Sequence, residues 1–222
     1  MSRWIRLALA IALAAWTAPA AANRVQGQAS RGVALSTLFP HSLGDRWLFG
    51  DRAQEPTSSL MVAELADQGF LLESEDGRTR LLTVDAERGL LLLQSTDLDA
   101  TVHSFDPPLS LLPTQLEPGQ VHTAESRIVE RVQGDEVRAG TRSVRAAIGE
   151  PVTVATPAGR WQAVPVSTET STSWAGEDPT VTSEQTWYAA GVGPVRRSAP
   201  EGGVRREELL LEAKVGERLI PP

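Results

Sequence analysis

Short β-competent runs, broken about every ten residues by Gly, Pro or Asp, fill almost all of the chain beyond its first 22 residues. That rhythm restricts the chain to an all-β fold, because no stretch holds the period of a long amphipathic helix. The clearest hairpin joins 70–75 to 78–84 through Asp76-Gly77, a pair suited to a type I′ turn. Glu87-Arg88-Gly89 turns the chain again into 90–94, which makes a meander. Gly134-Asp135 separates 125–133 from 136–148, and Thr156-Pro157-Ala158-Gly159 separates 151–155 from 161–172.

The Ser/Thr-rich stretch 167–184 reads as part of a long exposed hairpin with its tip at 176–179 and its return strand at 181–188. Thr is a good strand residue, and Trp174 and Val181 interrupt the polarity. Beyond Gly191 and Gly193, the run 195–198 turns at 200–203 into 204–213. Arg196 and Arg197 are expected to pair with Glu207 and Glu208 across this last hairpin, since like charges facing each other destabilise a strand pair. A mainly antiparallel sheet of this many strands has to curl to bury one face. The expectation is an incomplete or half-open β-barrel, with a two-sheet sandwich as the alternative.

Residues 1–22 have the form of a bacterial export signal: Arg3 and Arg6, an apolar run from Leu7 to Trp16, then small residues to Ala22. The apolar run is shorter than the roughly 20 residues a membrane-spanning helix needs. The expected organisation is therefore a signal peptide at 1–22 and a single β-rich domain at 23–222, in a periplasmic or secreted protein. Loss of the signal removes two arginines and no acid, and takes the net charge from -7 to -9. Such a surface repels phosphate backbones, which argues against a nucleic-acid partner. The chain has no cysteine, so disulfides, thiolate metal sites, a lipid-modified cysteine and a cysteine nucleophile are all excluded.

Little in the sequence carries chemistry. His41, His103 and His122 lack metal-ligand spacing and read as surface or loop residues, with Asp106 the acid nearest His103. Asp97 and Asp99 have a spacing that one strand face could present as a carboxylate pair, but a solvated turn is the plainer reading. No nucleophile elbow or phosphate-binding glycine loop occurs. We therefore expect a non-enzyme with no cofactor and no metal. The aromatic residues are the candidate contacts for a ligand or partner: Trp47, Trp161, Trp174 and Trp187, with Trp174 the most exposed of them.

Five segments, PHSLGDRWLF at 40–49, PPLSLLPTQLEPG at 107–119, TPAGRWQAVPV at 156–166, WYAAGVGPV at 187–195 and EELLL at 207–211, resemble in combination a group of bacterial exported proteins. That group is similar in outline to the lipoprotein-carrier (LolA-like) superfamily. The resemblance implies an incomplete antiparallel barrel that holds acyl chains, and supplies no catalytic residue. It leads to the expectation of a non-catalytic cell-envelope protein that binds a lipid, lipoprotein or other apolar ligand in a concave sheet. The alternative is an assembly protein that docks an envelope partner through a sheet edge or through the 167–188 hairpin.

Overall fold

A computed structural model describes residues 32–201 and 204–221; the signal-peptide reading of 1–22 lies outside them. In chain order the strands are β1 (Val33–Ala34), β2 (Arg46–Gly50), β3 (Pro56–Ala66), β4 (Gly69–Ser74), β5 (Thr79–Asp85), β6 (Gly89–Thr96), β7 (Val102–Leu112) and β8 (Gln115–Leu116). They continue with β9 (Val121–Val132), β10 (Asp135–Ile148), β11 (Val152–Thr156), β12 (Gly159–Trp174), β13 (Thr180–Ala189), β14 (Gly193–Glu201), β15 (Val204–Val215) and β16 (Arg218–Ile220). One helical turn, α1 (Leu35–Leu38), is the only helix among the described residues.

Every pairing is antiparallel, and among the described residues twelve strands form a ring. Its order is β10, β9, β7, β6, β5, β4, β3, β2, β15, β14, β13, β12, and back to β10. The last step corrects the half-open expectation. β10 pairs with β12 along a continuous register from Gly140↔Trp174 to Ile148↔Val166, so the barrel is closed and the sandwich does not form. The 167–188 hairpin is accordingly not free-standing. Its first arm is barrel wall, hydrogen-bonded on both sides, which removes an edge that an open sheet would expose.

Most turns fall where the sequence places them, with local differences. At Asp76-Gly77 only Gly77 has positive φ (84°), so the connection is a type I turn followed by a left-handed glycine, because type I′ needs positive φ at both central residues. β9 and β10 reverse at Gln133-Gly134, one residue before the expected pair, since Val132 already faces Asp135. The Thr156-Pro157-Ala158-Gly159 turn forms as read, with Thr156 opposite Gly159 and φ of 135° at Gly159. Gly159→Val is expected to cost roughly 1–3 kcal/mol through backbone strain. Its Cβ would also sit 3.3 Å from the Trp161 ring. Thermal unfolding checks this: an unchanged melting temperature would mean the turn is not formed as described.

The buried side chains lie mainly on the inner face and crowd towards one end of the barrel. Phe49, Val62, Phe70, Leu82, Leu109, Leu210 and Trp47 are each at most 2% exposed. The N-terminal segment closes this end. Leu35, Leu38 and Phe39 are buried there, the Leu35 N–H donates to the Thr114 carbonyl, and the Gly191 N–H donates to the Thr37 carbonyl. Phe39 packs its ring 5.9 Å from Phe70 and 6.2 Å from Tyr188.

The outer wall has the opposite character. On β9, β10 and β12 the exposed positions alternate with the buried ones and carry Glu125, Arg127, Arg145 and Glu169, with Arg145 directly opposite Glu169. An arginine facing hydrocarbon near a bilayer's midplane costs about 2–4 kcal/mol. The outer face of these three strands is therefore suited to water rather than to hydrocarbon.

Candidate functional site at the turn end

The β2–β3, β4–β5, β6–β7, β9–β10, β12–β13 and β14–β15 connections gather at the end opposite the N-terminal segment. The inner wall becomes polar towards this end. Residues directly opposite each other on neighbouring strands share a face, so the buried core residues identify the inward positions. Arg80 stands opposite Leu72 and Ser95, Arg142 opposite Ser126 and Thr172, and Arg197 opposite Thr186 and Glu208. β12 contributes Thr168, Thr170 and Thr172 to the same face, below Trp174.

Part of this wall stays open. Thr168 and Thr170 lie opposite the buried Ala146 and Val144 yet keep accessible surface. Tyr188, opposite the buried Val164, lies further down the same face, where Phe39 of the N-terminal segment packs against it. Burial pushes the Tyr188 hydroxyl up to about 12, with the nearby Glu184 charge adding to the effect.

Arg142 holds a defined place on that wall. Its Nε donates to Thr172 Oγ1 at 2.9 Å, and its guanidinium lies 5.4 Å from the Phe105 ring centroid. Burial holds the Arg142 guanidinium below its ordinary pKa; the Asp97 charge opposes this and the Arg80 charge adds to it. Arg197 is placed differently, 5.1 Å from the Phe49 ring centroid and 3.7 Å from Glu208.

At the rim a charged cluster ties four strands and a hairpin tip together. Glu130 on β9 accepts from Arg138 Nη2 at 2.9 Å and lies 3.2 Å from His103 Nε2. Arg138 also donates to Glu177 at the β12–β13 tip, and its guanidinium lies 4.2 Å from the Trp174 ring centroid. His103 is buried, contrary to its surface reading, because the β7–β9 register sets it directly opposite Glu130. Its other nitrogen lies 3.7 Å from Asp97, not near Asp106. Asp99 belongs to the solvated β6–β7 turn, where it accepts from the Thr101 N–H.

The Arg138 hydrogen bond, then His103, hold the Glu130 carboxyl below its ordinary value of 4.5, against the opposing effect of burial. A carboxylate with a lowered pKa in the folded state stabilises the fold above its unfolded pKa. That contribution is lost as pH falls through the folded value. Acidification below about pH 4.5 should therefore loosen the rim. Glu130→Gln is expected to lower stability at neutral pH and to flatten the acid limb of the urea midpoint plotted against pH. An acid limb as steep as in the wild type would assign it to other carboxylates.

The four tryptophans do not converge. Trp47 is buried at the closed end, where its Nε1 donates to the Val192 carbonyl. Trp161 is half-buried on the β11–β12 hairpin and donates to Thr156 Oγ1 at 3.2 Å. Trp187 is buried on the outer face under Arg196, whose guanidinium lies 4.2 Å from the ring centroid. Only Trp174 stands at the open end, and it is half-buried there between Arg138 and His103. The arginines that line the mouth were missed from sequence. Arg80 and Arg142 look like ordinary strand residues until the register turns them inward.

Ser110 Oγ lies 3.0 Å from His122 Nε2 at the closed end. The same imidazole nitrogen lies 3.2 Å from the Ser110 carbonyl, beyond the point where the β7–β9 ladder stops at Asp106↔Arg127. Among the described residues no group of three His, Asp or Glu side chains is arranged to hold a metal ion.

No family model and no curated protein matches the chain. Two solved structures are similar to it. One is a candidate lipoprotein from Parabacteroides distasonis, 14% identical with a TM-score of 0.43 over 80% of this chain and 98% of its own. The other is a candidate exported protein with a YmcC-like fold from Bacteroides fragilis, 15% identical with a TM-score of 0.43 over 84% of this chain and 99% of its own.

Proposed function

We infer that the protein is a non-catalytic binding module of the cell envelope whose ligand enters the open, turn-bearing end of the barrel. One observation carries this reading: Thr168 and Thr170 keep accessible surface on the inner wall, whereas the opposite end is filled by its own side chains. The envelope location rests on the export character of residues 1–22. The ligand class follows from the wall. Phe49, Leu72, Leu82 and Phe105 are buried, and hydroxyls and guanidinium groups stand among the side chains that remain within reach. A lipid or other apolar ligand would meet little apolar surface here, so the ligand carries polar groups.

A second reading has its own support. Among the described residues β13 pairs with β14 only from Gln185 to Ala189, so Thr180–Glu184 pairs there with β12 alone and offers an edge on which a partner strand could add. The cysteine-free chain separates the two readings, since Thr170→Cys places a single thiol on the inner wall. A small maleimide should modify this variant in the folded state, as it does Ser167→Cys on the outer face, and should leave Val166→Cys intact. An envelope extract should slow labelling of the Thr170 variant alone. A folded Thr170→Cys protein that resists the reagent would overturn the open-mouth reading in favour of the docking edge.

A further inference from the structure

Among the described residues, Arg80 and Arg142 make no ion pair, whereas Arg138 pairs with Glu130 and Glu177, and Arg197 with Glu208. Arg142 is half-buried with one donor fixed on Thr172, and the register sets Arg80 on the same face of β5, across the barrel from β13, where its side chain stays exposed at the rim. The Asp97 charge reaches Arg142 only at a distance, and a partly desolvated guanidinium with no carboxylate in contact is costly unless something else supplies the negative charge.

We propose that Arg142, supported by Arg80, holds the anionic group of a small ligand, a phosphate or a carboxylate, in the mouth of the barrel. This rests on the open-mouth reading above and names the ligand's chemistry. Thr172 makes the geometry specific. Its hydroxyl oxygen accepts the Arg142 Nε–H hydrogen bond and leaves both terminal nitrogens for paired hydrogen bonds to two oxygens of one anion. Glu184 faces the same space from β13, opposite Thr168, and keeps the anion on the β10 side.

Labelling of Thr170→Cys is the readout. Inorganic phosphate and acetate are each added to the folded protein at constant ionic strength, with chloride as reference. Severalfold slower labelling in phosphate, in acetate or in both supports the site, and the stronger of the two identifies the anion. The protection should disappear in Arg142→Gln, weaken in Arg80→Gln and persist in Arg145→Gln, which removes an outward arginine of the same strand. Protection that survives both inner substitutions overturns the proposal. A Thr170→Cys protein that labels readily but is protected by neither anion also overturns it while leaving the open mouth intact. One that does not label at all removes the open mouth itself. Should Arg142→Gln fail to fold, the Arg80→Gln arm decides: undiminished protection there counts against the paired site.

Discussion

Trp187→Ala is expected to lower the stability of the barrel by about 3–5 kcal/mol, the range for truncating a buried large aromatic. Trp187 is 7% exposed, and losing it would remove the ring under Arg196. The Arg196 Nε is buried without a hydrogen-bond partner, and its guanidinium pairs with Glu207. The substitution therefore leaves a cavity and a poorly supported cation together. The denaturant midpoint measures the loss, and Trp187→Phe should recover part of it. A Trp187→Ala protein of near wild-type stability would show that the outer-face packing around this ring contributes little.

Gly140→Val is expected to pry open the seam between β10 and β12. A Cβ at residue 140 would lie 2.1 Å from the Ser173 carbonyl oxygen and 2.9 Å from the Trp174 ring, and the first of these is backbone that cannot rotate away. Overpacking of this kind costs about 1–3 kcal/mol. The added cost is local: Trp174 loses its seat, and with it the stacking on Arg138. Hydrogen exchange should show lost protection at 140–143 and 171–174 while β4, β5 and β6 remain protected. Uniform protection across the seam would mean that the closure at this end is not as tight as described.

Much of the local structure was legible because turn chemistry is written in adjacent residues. Thr156-Pro157-Ala158-Gly159 forms its turn, and the pairing of Arg197 with Glu208 and of Arg196 with Glu207 follows from avoiding facing like charges. Closure was not legible, and β12 shows why. Ser167, Glu169, Ser171 and Ser173 face outward while Thr168, Thr170 and Thr172 face the lumen, so both faces are polar. A strand that is polar on both faces lacks the alternation that reveals a buried face. It therefore reads as an exposed arm. His103 failed for a related reason: Glu130 is 27 residues away in sequence and adjacent only in register. The same limit hid the mouth arginines, whose inward direction depends on neighbours that no short motif contains.

The ring has a second long-range seam, and it sets a clock. β2 finds one neighbour promptly in β3, but its other neighbour is β15, with Arg46 and Glu212 joined across 166 residues. At about 5–20 residues per second, the ribosome needs roughly 10–30 s to supply that partner. Throughout this interval the 46–50 edge is unpaired and can template pairing with another copy. A chain cut short before β15 would keep that edge permanently, so loss of β15 and β16 should turn a self-contained ring into an aggregating open sheet.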